Sequence, residues 1–180
     1  MSVPLRFAFA GKAYSGKSSC AKYLASKHNM SILSFATILK ETCKEVFDMQ
    51  VKDRSLLQKV GSALRDINKN VFVDYLERKI EKIGYSVGIC IDDLRYKNEF
   101  EMLQRQNFIL VKLIVDEEIL KERALKLTGQ IMTTEQINHP SETDLDNIYH
   151  GFTFITGNST EEDLYNKLDV LYKREKEKQE

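Results

Sequence analysis

Proline occurs only twice in the 180 residues, at Pro4 and Pro140, and no glycine- or serine-rich stretch divides the chain. With no linker and no internal repeat, the length predicts one domain, 1–180, able to bury a sizeable core. Cysteine is scarce: Cys20, Cys43 and Cys90 lie in apolar segments and form no CxxC pair. That pattern points away from a disulfide framework or a zinc site and toward buried thiols in a reducing compartment. Neither sign of charge is in excess, with 27 Lys+Arg against 27 Asp+Glu. The balance argues against a nucleic acid polymer as partner, because gripping one takes a basic stripe; a small basic pocket for phosphates is compatible with it. No apolar run approaches the ~18 residues of a membrane span. The start, MSVPLRFAFAGKAYSGK, lacks the pattern of a secretory leader. These absences lead to the expectation of a soluble intracellular protein with no membrane partner.

What is present is an alternation. Residues 5–10, 31–35, 87–91, 108–115 and 152–156 read as short, mostly apolar strands. Helical periodicity fills the intervals: Gly16 to Lys27, the segment holding Ile38, Leu39, Cys43, Val46 and Phe47, then 54–83, 97–106, 117–128 and 160–177. The stretch 54–83 carries the strongest signal, with Leu57, Val60, Leu64, Ile67 and Val71 followed by Leu76, Ile80 and Ile83, and Gly84 as its stop. Five strands alternating with helices predict an α/β fold with a mainly parallel sheet. The end, KREKEKQE, reads as a solvated helix tail.

Gly11-Lys12-Ala13-Tyr14-Ser15-Gly16-Lys17-Ser18 matches G-x-x-x-x-G-K-[ST], the Walker A phosphate loop, between a predicted strand and a predicted helix. The two glycines let backbone N–H groups point inward at phosphate oxygens, and the helix adds its positive end. Lys17 is placed to reach the β- and γ-phosphates of ATP, and Ser18 to offer a hydroxyl to Mg²⁺. A chance match in so short a chain is roughly a one-in-a-hundred event. The signature of a GTPase is incomplete: Asn68-Lys69-Asn70-Val71 lacks the aspartate of NKxD, and Asp93-Leu94-Arg95-Tyr96 lacks the glycine of DxxG. A small kinase fits better, and such an enzyme needs a second pocket for its acceptor.

Two constellations qualify for that pocket. Arg54, Gln58, Gly61 and Arg65, spaced 4, 3 and 4, form one stripe of a helix, well round from Leu57, Val60, Leu64 and Ile67. Guanidinium forks suit phosphate oxygens, and a glycine between them admits a ligand to the backbone; the alternative is a solvated face. Asp92, Asp93, Arg95, Asn98 and Glu99 follow the strand ending at Ile91, at the edge where open parallel sheets bind ligands; the alternative is a charged turn.

SGKSSCAKYL, SFATILKE, RSLLQKVGSALR, IDDLRYKNEFEML, HPSETDLDN and FITGNSTEEDLYNKL together resemble the phage and viral deoxynucleoside monophosphate kinases, across about residues 5 to 170. The order LQ-x-x-G-x-x-x-R, D-x-R-x-x-N-E, H-x-S-E is the more telling part, since the Walker A block is common to all P-loop proteins. The resemblance implies a three-layer P-loop kinase fold of the nucleoside monophosphate kinase group. It also implies an acceptor region at about 36–83, a lid at about 117–135, and nucleotide substrates. ATP would be held by Gly11 to Ser18 and by Ser19, with Mg²⁺ on Ser18. Arg54, Gln58, Gly61 and Arg65 would hold the acceptor. Asp93 and Arg95 would flank the transferring phosphate, with Arg123 and Lys126 of the lid as the candidates for stabilising transition-state charge. Gly157, Asn158, Ser159 and Thr160 would lie near the adenine, and His139, Ser141 and Glu142 match H-x-S-E, His139 and Glu142 being further substrate candidates. A cytoplasmic enzyme follows, in the host cytoplasm for a viral chain; monomer or homodimer is left open. One block departs: where the family has F-A-D-P-L-K, this chain has Phe35-Ala36-Thr37-Ile38-Leu39-Lys40. Other small-molecule kinases of the fold (for dephospho-coenzyme A or phosphomevalonate) and a catalytically silent nucleotide-binding protein are the alternatives.

Overall fold

The computed structural model describes residues 3–158 and 160–179. In chain order the elements are β1 (Arg6–Ala10), α1 (Lys17–His28), β2 (Ser31–Leu33), α2 (Thr37–Phe47), α3 (Arg54–Ile67), α4 (Val71–Ile83) and β3 (Ile89–Leu94). There follow α5 (Lys97–Arg105), β4 (Ile109–Ile114), α6 (Glu117–Thr128), α7 (Thr134–Asn138), α8 (Pro140–Thr143), β5 (Thr153–Thr156) and α9 (Glu161–Glu177).

The five strands form one sheet in the order β2-β3-β1-β4-β5, and every pairing is parallel. Strand alternation divides the core into two layers. Phe7 and Phe9 of β1 pack with Cys20, Ala21 and Leu24 of α1 and with Leu164, Leu168 and Leu171 of α9. Ala8 and Ala10 face the other way, toward Leu39 of α2, Phe72 and Leu76 of α4, and Phe100 and Leu103 of α5. The result is helices on both faces of a parallel sheet, a three-layer α/β/α fold. Strand order reverses at β1, between β3 and β4, so a crevice opens over the carboxyl ends of these strands. Cys20, Cys43 and Cys90 are all buried thiols; burial pushes Cys20 and Cys90 up to about 12. No helix among the described residues is long and apolar enough to cross a membrane.

The periodic stretch 54–83 is two helices, not one. Asn68 leaves the helix in an extended conformation (φ −143°), and its side-chain oxygen accepts the Asn70 N–H at 2.9 Å. This local turn competes with the helical ladder and wins because Asn offers the backbone a substitute acceptor. Hydrophobic phase survives the break, which is why the periodicity conceals it. One consequence is that Ile67, expected in the core, is 85% exposed at the end of α3. Val46 and Phe47, expected among the apolar positions of α2, are likewise exposed, since α2 ends at Phe47 and the chain turns away at Asp48.

Segment 139–148, to which the sequence pattern assigns no element, is fixed to the sheet by two lysines. Lys112 of β4 is buried and donates to the carbonyls of Leu145 (2.6 Å) and Ile148 (3.4 Å). Lys12 donates to the carbonyl of Glu142 (2.7 Å) and to Asp146 (2.5 Å). These bonds hold the segment against the turn that follows β1.

Gly11 opens that turn at φ +140°, a region side chains rarely adopt, and an added Cβ would meet Ser15 Oγ at 2.8 Å and the Leu113 carbonyl at 2.9 Å. Gly11→Ala is therefore expected to destabilise the fold by about 1–3 kcal/mol. Urea unfolding measures it, and an unchanged midpoint would contradict the close approach of β1's end to β4.

Candidate active site

The loop from Gly11 to Ser18 leaves β1 and enters α1. Gly16 caps α1 at φ +99°, and Tyr14 is held at φ +64°, an uncommon conformation for a residue with a side chain. No side chain caps α1 and no acidic residue stands in its first turn, so the positive end of the helix faces the crevice. Lys17 is 6% exposed; its Nζ donates to the carbonyls of Gly11 (2.8 Å) and Lys12 (2.7 Å). Burial holds its pKa well below the usual lysine range, Arg95 and Arg54 add to this, and Glu142 and Asp93 oppose it.

Beside the loop is a cavity of about 630 Å³. Its lining brings together most of the residues singled out in the sequence: Ala13, Tyr14, Gly16, Lys17, Ser18, Ser19, Arg54, Gln58, Arg65, Asp93, Arg95, Arg123, His139 and Glu142. Lys40, Lys52 and Lys126 join them, so eight cationic side chains face five carboxylates (Asp92, Asp93, Glu99, Glu142 and Glu161). A chain of zero net charge thus concentrates positive charge in one cleft. Phe35, Leu39, Leu57, Phe72 and Tyr96 give the cavity an apolar, aromatic side.

Several expected residues occupy different places. Gly11 and Lys12 lie on the far side of the loop, lining a second cavity of about 540 Å³, and Ser15 is buried beneath it. Gly61 is absent from the site's lining. The space over it is filled by Leu39, 3.1 Å from where a Cβ would stand, and by the Arg65 guanidinium, which donates to the Gly61 carbonyl at 3.2 Å. The glycine makes room for Arg65 and for helix packing, not for a ligand. Asn158 also lies outside the cavity; its side chain accepts the Asp116 N–H at 3.0 Å, at the head of α6. Ser159 lies outside the described residues.

The two adjacent aspartates have separate tasks. Asp93 accepts from Ser34 Oγ (2.5 Å), Phe35 N (2.9 Å) and Ala36 N (2.9 Å). It anchors the turn into α2, and both its oxygens are taken. Asp92 instead accepts from Ser18 Oγ at 2.8 Å. Burial raises the Asp92 pKa, with Asp93 adding to the effect and Ser18, Lys40 and Lys17 opposing it. The sequence places both aspartates at the carboxyl end of β3, and the resemblance gives a role to Asp93 alone of the pair. Strand parity is the signal that separates their roles: Cys90 belongs to the layer of α1 and Ile91 to the layer of α2, so Asp92 follows Cys90 toward Ser18. Ser18 and Asp92 supply the oxygen donors that a hard cation such as Mg²⁺ takes. The described residues hold no cluster of three or more His, Cys, Asp or Glu fit for a metal.

Arginines converge on the cleft from several elements. Arg54, at the start of α3, bonds Glu142 at 3.2 Å. Arg95, after β3, bonds the same Glu142 oxygen and the Ser141 carbonyl (2.9 Å). Arg65 lies between the rings of Phe72 (4.4 Å) and Tyr96 (3.8 Å) and donates to Glu99 at 3.3 Å. Arg123 of α6 reaches across the loop to the carbonyls of Tyr14 (3.4 Å) and Gly157 (2.8 Å). His139 caps α8, accepting the Ser141 N–H at 3.2 Å while its ring also meets Ser62 Oγ at 3.3 Å.

No protein-family profile matches the chain. It is 25% identical, over 86% of its length and 89% of the other's, to the "Putative deoxynucleotide monophosphate kinase" of Acanthamoeba polyphaga mimivirus. Among solved structures it is similar to a "putative kinase" of Chloroflexus aurantiacus (TM-score 0.58, 13% identity, 97% of this chain and 98% of that one). It is also similar to a gluconokinase of Sinorhizobium meliloti (TM-score 0.57, 14% identity, 97% and 99%). The structural likenesses establish the fold, that of small P-loop kinases, and the sequence likeness agrees with the resemblance read from the motifs.

Glu99, 2% exposed, accepts from Arg65 and from the N–H groups of Arg95 (2.9 Å) and Tyr96 (3.0 Å). Burial nevertheless raises its pKa from 4.5 to about 7, with Asp93 adding and Arg65 opposing. Between these values the folded chain keeps a proton that the unfolded chain has released, so this contribution to stability is present at low pH and is lost as pH rises through 7. The span is at most about 3 kcal/mol. Urea unfolding at pH 5 and 7.5 should show that slope shrinking in Glu99→Gln; an identical slope in both proteins would refute it.

Proposed function

We propose that the protein transfers the γ-phosphate of ATP to a deoxynucleoside monophosphate, giving the diphosphate. The observation that supports this most is the sharing of Glu142 between the Walker A loop and two arginines: Ala13 N at 2.7 Å, Arg54 at 3.2 Å, and Arg95. A triphosphate-binding loop and a second cluster of guanidiniums therefore adjoin in one cavity. The mimiviral relative's name favours the same acceptor class over a sugar or a mevalonate derivative.

The chemistry makes modest demands. An oxygen of the acceptor's own phosphate is the nucleophile, and it is already ionised at neutral pH, so no protein base is needed. The chain's contribution is position and charge. The loop's N–H groups and Lys17 hold the triphosphate. Arg123, over the loop, faces the charge that grows on the transferred group. Ser18 and Asp92 hold Mg²⁺, which when bound neutralises phosphate charge. Arg54 and Arg65 stand eleven residues apart on α3, about 16 Å along its axis, and are held by different carboxylates, Glu142 and Glu99. Arg54 and Arg95 then take the acceptor's phosphate, while Arg65, Phe72, Tyr96 and Phe35 line the end for sugar and base. Gln58 lies between, tied to the Gln136 carbonyl at 3.4 Å.

A coupled assay with ATP, Mg²⁺ and each deoxynucleoside monophosphate, with phosphomevalonate and dephospho-coenzyme A alongside, tests the reading. Turnover confined to the last two would replace the acceptor; none at all, with ATP bound, would leave a silent nucleotide-binding protein. Lys17→Ala is expected to lower kcat by about 100- to 1,000-fold or more with an unchanged circular dichroism spectrum. Normal turnover in that variant would remove Lys17 from the site. Arg65→Ala should raise the acceptor KM about 10- to 100-fold and leave ATP affinity near the parent value. An equal loss of ATP affinity would place Arg65 on the donor side. The double variant Arg65→Ala/Glu99→Gln controls for the carboxylate left buried.

A further inference from the structure

Among the described residues, Glu142 is the carboxylate bonded to both halves of the cleft. It is 8% exposed on α8, a helix of four residues held by Lys12 at the Glu142 carbonyl, while Lys112 holds the chain just after the helix at the Leu145 carbonyl. Its two oxygens have separate partners: Oε2 accepts the Ala13 N–H of the Walker A loop at 2.7 Å, and Oε1 accepts from Arg54 and Arg95. A carboxylate repels a phosphate, so a direct grip on either substrate, as the motif resemblance implied, conflicts with its charge. We propose that Glu142 is a positioning residue that sets the donor loop through one oxygen and the acceptor-side arginines through the other, touching neither substrate. The proposal rests on the kinase reading given above and assigns the residue that couples its two sites.

Charge supports the assignment. Lys17, Arg54 and Arg95 crowd one poorly hydrated region, and without a counter-charge the guanidiniums would repel each other and swing toward solvent. Burial alone would raise the Glu142 pKa, but Arg95, Lys17, Arg54 and the Ala13 N–H outweigh it and keep the group ionised. Its position is over-determined: besides the two lysines, Glu142 N donates to the His139 carbonyl at 2.8 Å, and Pro140 starts the helix. A side chain so anchored can fix two arginines that come from different elements. It also makes the loop at Ala13 and the arginines move as one.

The division between the oxygens makes a separable test. In Glu142→Gln a carbonyl oxygen remains for the Ala13 N–H, but an NH₂ group now opposes the arginines. In Glu142→Ala both links are gone. ATP affinity, read by displacement of a fluorescent ATP analogue, is expected within about twofold of the parent for Glu142→Gln and weakened about tenfold for Glu142→Ala. The acceptor KM is expected to rise about tenfold or more in both. Thermal unfolding of each variant identifies loss of fold. In a cycle with Arg54→Ala, the arginine substitution should cost markedly less acceptor affinity when Glu142 is already Gln. Equal effects of Gln and Ala on ATP affinity, or an additive cycle, would overturn the proposal. If the parent protein binds ATP yet phosphorylates no monophosphate, the kinase reading falls; the Gln–Ala difference in ATP affinity still decides the loop half of the inference.

Discussion

Concentrating cations in one partly buried cleft is the constraint on which this structure depends. Lys17, Arg54 and Arg95 cannot sit together in a low dielectric unless opposite charge is built in beside them. Glu142 supplies it at the loop, bonded to Arg54 and Arg95; farther along, Glu99 accepts from Arg65. Both carboxylates are almost fully buried and both accept backbone N–H groups as well, so each fixes main chain and guanidinium together. A cation-rich cleft is thereby assembled without net charge on the chain as a whole.

The same economy appears in the paired aspartates after β3. One residue apart, they face opposite layers of the fold. Asp92 meets Ser18 at the start of α1, and Asp93 holds the turn that launches α2. The Asp93 bonds fix the start of the Phe35-Ala36-Thr37-Ile38-Leu39-Lys40 block. The N–H groups of Phe35 and Ala36 are satisfied from a neighbouring strand, so the entry to α2 does not need its own capping residue.

Much of the fold was legible in the sequence. Short apolar runs alternating with amphipathic stretches placed the five strands and the main helices to within a few residues, because period-2 and period-3.6 burial are local consequences of the sheet and helix. The break at Asn68 was not legible, since the apolar phase on its two sides happens to match. The loop from Gly11 to Ser18 was legible because its geometry demands particular residues at fixed spacing. Gly61 was misread, because a glycine on a helix stripe signals close approach without saying of what; here it is Leu39 and the Arg65 guanidinium.

The sequence by itself determined a parallel α/β domain, a Walker A loop and a set of cationic residues without a general basic surface. Only the tertiary structure decided which carboxylate serves which cation. Ser18 meets Asp92 across 74 positions, Ala13 meets Glu142 across 129, and Arg65 meets Glu99 across 34. Pairings of that range depend on strand order, strand parity and the anchoring of segment 139–148. These are properties of packed layers, which no run of neighbouring residues encodes.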